Sequence, residues 1–471
     1  MRLAAFERER REAPMTRNED KPAVRMITLG CPKNVVDAEE IAGGLRERGY
    51  ALDALARSAD VVVVHTCGFV RDAQQESVDA VLQAIDDKRA GRCRRVFVTG
   101  CLAQRFAREL AAEMPEVDGF VGTGSPDRAV EAIASARRTD EPLVWVEQRP
   151  RHAWSATPAR ALSTPRWTAY LKIGEGCGHR CSFCAIPAIR GPRVSKAFDA
   201  VIEEAHWLAA QGVRELIIVS QDSTQYGLDL AGKPLLAPLL RELARTPGLR
   251  WVRVLYCYPS RLTLDIIDTI ACTPGVCAYI DLPLQHADEV VLRAMRRPGN
   301  AEAYLRLIGR IRRANPEACL RTTFITGFPG ETKRSFDALL RFTEAARFDR
   351  VGVFAYSPED GTPAARLSGR PRAAEAERRR STLLEMQQHI SLERNRRFIG
   401  REVEMLVESS QSQPGPNGAA GRSVLRGRTY RDAPEIDGAV VASGERGSLG
   451  DFVTVRVDRA GVYDLVGRVT P

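Results

Sequence analysis

Three cysteines in one short run, Cys177, Cys181 and Cys184 in KIGEGCGHRCSFCAIPAIRG, restrict this chain more than any other feature. A CxxxCxxC loop can hold three corners of a [4Fe-4S] cluster and leave the fourth iron open to a substrate or cofactor. A structural zinc site normally wants a fourth Cys or His at a repeated spacing, and none follows in register. His179, inside the triplet, reads as a loop residue rather than a fourth ligand. The expectation is a redox-active iron–sulfur enzyme, with zinc or a chance cysteine cluster as the alternatives. The run follows directly on the strand-like AYLKIG, so a strand end must carry the thiolates.

The 471 residues are too many for one ordinary domain and allow two to four. No apolar run reaches 18 residues, so no membrane span is expected. The first 25 residues mix both charges and lack the apolar centre of a secretory signal. They read as a disordered extension, or as an early start ahead of Met15 or Met26. Eleven cysteines in so long a chain are too few for a disulfide scaffold and suit the reducing cytoplasm.

From Met26 to Arg137 apolar strands alternate with amphipathic helices, the rhythm of a parallel α/β domain with helices on both sheet faces. Cys31, Cys67 and Cys101 each fall just past a strand. Strand C-termini of an open parallel sheet face one crevice, so three cysteines at that position predict a second three-thiolate cluster. One alone would read as an ordinary buried cysteine.

A Pro-, Arg- and Thr-rich stretch then reads as a linker. From Ala169 to Arg397 at least six βα units follow, which predicts a complete or partial barrel with its active site at the C-terminal strand ends. The last 70 residues change to short strands with Gly turns, and SQSQPGPNGAAG between the first two reads as a flexible loop; together they predict a small closed β-barrel acting as a recognition module. The fold class is therefore α/β with an all-β appendage. The expected boundaries are an extension over 1–24, an N-terminal domain over 25–148, a linker over 149–166, the barrel over 167–398 and the β-barrel over 399–471.

GCPKNVVDAE at 30–39, GEGCGHRCSFCAIPAIRG at 174–191 and VSQDSTQYG at 219–227 resemble the methylthiotransferases, a radical S-adenosylmethionine family. The resemblance covers nearly everything after residue 24. It implies an N-terminal three-cysteine domain, a radical-SAM barrel and a TRAM-like β-barrel. Pro32 and Lys33 after Cys31 resemble the branch that modifies an aspartate of ribosomal protein uS12, rather than the tRNA branch with its GCQMN.

The resemblance also implies roles. Cys177, Cys181 and Cys184 would hold the cluster that chelates and cleaves S-adenosylmethionine, with Phe183 beside the adenine or simply packing the loop. Cys31, Cys67 and Cys101 would hold a second [4Fe-4S] cluster carrying the sulfur to be inserted. S-adenosylmethionine would serve as both methyl donor and radical source. His65 stands where the family usually has Asn; it reads as a structural substitution, the alternative being a group that orients or protonates the sulfur. Ser220, Gln221 and Asp222, Gln285 and His286, and the glycines Gly327 and Gly330 of FITGFPGET are cofactor-side candidates at strand ends. Arg293, Arg296 and Arg297 either join them or face solvent. Tyr356 and Glu359 have no assigned role.

The net charge of +9 is weak evidence for an acidic partner. Residues 401–471 carry nine Arg and Lys against ten Asp and Glu, poor footing for gripping a nucleic-acid backbone. The expected partner is uS12, free or within assembling ribosomes, together with an external electron donor and a sulfur source. Glu402, Glu404, Glu408, Asp432, Glu435 and Asp437 are either acidic attractors of that basic protein or ordinary surface residues. A tRNA adenosine methylthiotransferase is the second reading. A non-catalytic iron–sulfur RNA-binding or assembly protein is the third.

Overall fold

A computed structural model describes residues 21–53, 58–135, 141–148, 150, 152–154, 159–412, 423–444 and 447–470. The expected N-terminal extension up to residue 20 and most of SQSQPGPNGAAG lie outside the described residues.

Six parallel strands form the N-terminal sheet: β1 (Ala23–Thr28), β2 (Ala51–Leu52), β3 (Ala59–Thr66), β4 (Cys93–Gly100), β5 (Gly119–Val121) and β6 (Leu143–Trp145). Their order is β2-β1-β3-β4-β5-β6. Helices cover both faces, so the central strand needs an unbroken apolar run rather than alternation. ADVVVVHT supplies it: Val62 and Val64 enter one core, Val61 and Val63 the other. The main helices are α1 (Pro32–Glu47), α2 (Arg71–Arg89), α3 (Cys101–Glu113) and α4 (Pro126–Ser135).

The central unit is a partial barrel. Strand β7 (Thr168–Lys172) leads through a two-stranded antiparallel ribbon, β8 (Gly174–Glu175) with β9 (Val194–Ser195), to β10 (Glu215–Val219) and β11 (Trp251–Val254). β12 (Tyr279–Asp281), β13 (Cys319–Thr326) and β14 (Arg350–Ala355) form a second parallel sheet. Backbone bonds such as Cys257 N–H to the Asp281 carbonyl (2.9 Å) join the two sheets. Helix α5 (Ile186–Arg190) follows the cysteine loop between β8 and β9.

Five strands, β15 (Glu402–Ser412), β16 (Ser423–Arg428), β17 (Val440–Gly444), β18 (Phe452–Ala460) and β19 (Leu465–Val469), close into the expected small barrel in the order β15-β16-β17-β19-β18.

The two seams between these units are polar and buried. Arg160, in the stretch expected to be a linker, is 2% exposed and bonds Glu39 of α1 (2.5 Å) and Glu204 of the central unit (2.6 Å). That segment clamps the first two units together. On the other side, Glu215 of β10 lies between Arg253 of β11 (2.9 Å) and Arg428 of β16 (2.5 Å). Arg350 of β14 pairs with Asp432 (2.6 Å), and the Tyr279 hydroxyl donates to Asp437 (2.6 Å).

These contacts correct the expected acidic patch. Asp432 and Asp437 are spent on the barrel strands, Glu404 pairs with Arg250 (2.5 Å) and Glu408 with Arg428 (2.7 Å). Only Glu402 and Glu435 of the six are exposed. The barrel strands carry charges on the face that meets the C-terminal unit, and a buried charge needs an opposite partner.

Candidate functional site

The first three cysteines sit where strands end and helices begin. Cys31 precedes α1, Cys67 follows β3 by one residue, and Cys101 opens α3 directly after β4. Parallel register aligns these ends: Thr28 of β1 pairs with His65 of β3, and Thr66 with Gly100 of β4. Each cysteine has a neighbouring glycine where the loops nearly touch. A Cβ on Gly30, whose φ is +95°, would lie 2.7 Å from Cys67 Cβ, and one on Gly68 2.8 Å from the Cys101 carbonyl. Only glycine permits that approach.

Asn34 fastens the ends together. Its amide donates to the carbonyls of Leu29 (2.8 Å) and Thr66 (3.1 Å). Its oxygen accepts from Arg190 of α5 (2.6 Å), and the same guanidinium nitrogen approaches Cys101 Sγ at 3.4 Å. Arg190 also bonds Asp37 (2.6 Å) and Glu175 (3.0 Å), while Lys172 pairs with both carboxylates. Against the cost of burial, Lys172 and Arg190 hold Asp37 well below the usual carboxylate range, and Arg190 and Lys172 hold Glu175 at about 2. None of these five polar residues was singled out from sequence. The available signal was a lysine inside the apolar strand TAYLK; its pairing with Asp37, 135 residues away, gave none.

His65 hydrogen-bonds Thr99 on the adjacent strand (2.8 Å) and turns its other nitrogen toward Asp37 at 3.8 Å. Burial lowers its pKa to about 4, so the ring is neutral. These contacts are those of a strand-pairing residue.

The second cysteine loop is braced from the barrel. Ser182 N–H donates to the Met295 carbonyl (3.0 Å) and its hydroxyl to the Ala294 carbonyl (2.7 Å). Arg297 lies 3.7 Å from Cys181 Sγ and over the Tyr258 ring. His179 stacks on Tyr258 (3.7 Å) and bonds Asp222 (2.7 Å), which occupies it as a loop residue. Asp222 also accepts from Thr224 and Gln225. Phe183 meets Phe328 edge-on, and Phe328 meets Tyr356.

The other candidates separate. Ser220 is buried beside Ser223, and Gln221 donates to Glu175 (2.5 Å). The Gln221 oxygen and the Tyr356 hydroxyl are buried with no hydrogen-bond partner among the described residues, as open ligand positions would be. Gln285 is held at φ +71° between backbone bonds to Thr323 and Ile325. His286, expected at the mouth, is fully buried against Glu331 (3.4 Å) and accepts from Asp288 N–H, which corrects that expectation. Gly327 N–H donates to Glu331 and Gly330 N–H to the Gly369 carbonyl. Arg293 pairs with Glu289 on the surface, and Arg296 is exposed at φ +55°. Glu359, without a role from sequence, accepts from Arg105 (3.0 Å) and Gln74 (2.9 Å) and so ties the barrel to the Cys67 loop.

Both thiol sets suit an iron–sulfur cluster. Burial pushes Cys67 and Cys184 up to about 12 and Cys177 up to about 11, with neighbouring thiols of the same set adding to it, and Cys101 is raised as well. Such thiols are neutral when empty, and metal ligation replaces their protons. Among the described residues no three His, Cys, Asp or Glu side chains close on a single ion; the wider spread of a multi-iron cluster does not require that they do. A cavity of about 740 Å³ lies between α3, β6 and the second loop, lined in part by Cys181, Cys184 and Arg180.

Three family models match in chain order: uncharacterized protein family UPF0004 over residues 23–122, the radical SAM superfamily over 171–343 and the TRAM domain over 399–470. The ribosomal protein uS12 methylthiotransferase RimO of Symbiobacterium thermophilum is 46% identical across 95% of this chain and 91% of its own. The chain belongs to the ribosomal protein uS12 methylthiotransferase family. Its namesakes from Pelobacter propionicus (42%, 96% of this chain, 98% of that) and Anaeromyxobacter sp. (46%, 95% and 93%) agree. As a member of this family the chain is a radical SAM enzyme, using S-adenosylmethionine and at least one iron–sulfur cluster. Among solved structures, the radical S-adenosylmethionine methyltransferase TsrM of Kitasatospora setae shares the fold, with a TM-score of 0.53 and 18% identity over 73% of this chain and 74% of that one. No helix among the described residues is long and apolar enough to cross a membrane.

Proposed function

We propose that this chain adds a methylthio group to the β-carbon of an aspartate in ribosomal protein uS12, in the cytoplasm. The observation that carries the reading is that Arg190, six residues past Cys184, bonds Asn34 and approaches Cys101 Sγ, so that the units bearing the two cysteine triplets are joined there. The names of the relatives supply the substrate.

In this reading Cys177, Cys181 and Cys184 hold one [4Fe-4S] cluster, and Cys31, Cys67 and Cys101 hold a second. When bound, the first supplies the electron that cleaves S-adenosylmethionine and the second the sulfur, chemistry that no side chain can perform. The protein's part is positioning. Phe183 and Phe328 wall the cofactor, the Gln221 oxygen and the Tyr356 hydroxyl offer it free polar atoms, and Arg297 lies against Cys181. Ser220, Asp222, Gln285, Gly327 and Gly330 shape the strand ends around it. The Asp37–Lys172–Glu175–Arg190 group locks the two cysteine-bearing units in register. Eleven free cysteines fit a reducing compartment. The segment boundaries at 25, 149, 167 and 399 belong to the same proposal, as do the external electron donor and sulfur source.

The test is anaerobic. Enzyme reconstituted with iron and sulfide is given S-adenosylmethionine, reductant and either uS12 or unmodified tRNA, and product mass is followed. A methylthio group on a uS12 aspartate supports the reading; the same group on a tRNA adenosine, with uS12 untouched, replaces it.

A further inference from the structure

Lys33 is a buried lysine with no carboxylate in direct contact among the described residues. The residue is only 7% exposed, yet no carboxylate among the described residues lies within ion-pair distance of its ammonium. Its contacts are the Ser220 carbonyl at 3.4 Å and the face of Tyr256, 3.7 Å from the ring centre. Three N–H donors therefore meet one long hydrogen bond and a π-face. A buried ammonium normally has an opposite charge beside it, because its lost hydration is otherwise unrecovered.

The nearby acids are taken. Asp37 and Glu175 are each shared by Lys172 and Arg190, Asp222 is bonded to His179, and Asp281 is paired with Arg321 (2.8 Å). In the same place the backbone is held in an unfavourable form: Tyr256, just past β11, has φ +62°. Such strain persists where the surroundings fix it and collects at binding sites.

The position gives the missing anion its chemistry. Lys33 is in the first turn of α1, two residues after Cys31, and its ammonium points at Ser220 and Tyr256, the residues after β10 and β11. It thus bridges the sulfur-bearing cysteine set and the barrel mouth. An aspartyl side chain to be modified at its β-carbon must bring a carboxylate one bond from the reacting atom into this seam. We infer that Lys33 is the cation that receives the carboxylate of the substrate aspartate, and so the residue that distinguishes aspartate from asparagine. This inference rests on the proposed function above.

The experiment compares wild-type, Lys33→Met and Lys33→Arg enzymes, each reconstituted and assayed for iron content and thermal unfolding. Each is titrated with labelled uS12 and with uS12 in which the target aspartate is replaced by asparagine, and the dissociation constants are read by anisotropy. Wild type should prefer the aspartate form by roughly 30-fold or more, the cost of truncating one partner of a buried charge pair. Lys33→Met should bind both forms equally weakly, at undiminished iron content, and Lys33→Arg should keep part of the preference. A Lys33→Met enzyme that still prefers aspartate overturns the inference while leaving the function intact. So does one that loses only iron, since the lysine then serves the cluster. A wild-type enzyme that does not engage uS12 overturns both.

Discussion

Arg190 donates to the side-chain oxygen of Asn34 at 2.6 Å, and this one bond joins the helix behind one cysteine loop to the helix behind another 156 residues earlier. The same guanidinium reaches Asp37, Glu175 and Cys101. Arg190→Met leaves two buried carboxylates to share Lys172, and is expected to cost about 3–5 kcal/mol of stability. Urea unfolding monitored by Trp fluorescence checks this, and a loss below about 1 kcal/mol would show that the group is not holding the seam.

The two cysteine sets should fail differently. Cys181→Ala is expected to abolish cleavage of S-adenosylmethionine, whereas Cys67→Ala should retain some cleavage and lose sulfur insertion. Deoxyadenosine release and product mass, measured on the same samples, separate the two. Equal loss of cleavage in both folded variants would remove the division of labour.

Gly30→Ala places a methyl group 2.7 Å from Cys67 Cβ at a φ of +95°. The crowding falls on Cys31 and Cys67 together and leaves the second loop alone. Iron content after reconstitution is expected to drop to that of one cluster, with S-adenosylmethionine cleavage persisting; retention of full iron would mean that the loops have room to part.

Glu40 predicts a pH effect. Burial, against attraction from Lys172, raises its pKa to about 7, with Glu204 and Asp37 adding to the rise and Arg160 opposing it. The folded chain then keeps a proton that the unfolded chain releases above its ordinary 4.5. Folded protein binds more protons across that window, so this contribution to stability is full below pH 4.5 and falls as pH rises toward 7. Glu40→Gln should therefore match wild type at low pH and exceed it at pH 8 by up to about 3 kcal/mol. Parallel urea titrations across the pH range test the divergence.

Glu215→Gln removes the carboxylate between Arg253 and Arg428 and strands two buried guanidiniums. The C-terminal barrel should loosen, at a cost of about 3 kcal/mol or more. Limited proteolysis should then cut near residue 399 sooner than in wild type. An unchanged cleavage rate would place the grip elsewhere, such as at Arg350 and Asp432.

Sequence alone determined the parts that depend on local geometry. The CxxxCxxC spacing, the strand-end positions of Cys31, Cys67 and Cys101, the continuous apolar strand ADVVVVHT and the change to short strands after residue 399 are all set within a few residues of themselves. Backbone periodicity and ligand reach act over that range. Tertiary structure alone decided the pairing of charges. Lys172 finds Asp37 across 135 residues and Arg428 finds Glu215 across 213. That packing turned Asp432 and Asp437 from expected surface acids into seam partners, buried His286 against Glu331, and left Lys33, among the described residues, without a carboxylate in direct contact. A charge in a sequence carries no mark of its partner, because ion pairing depends on which surfaces the folded units bring together and exclude from water.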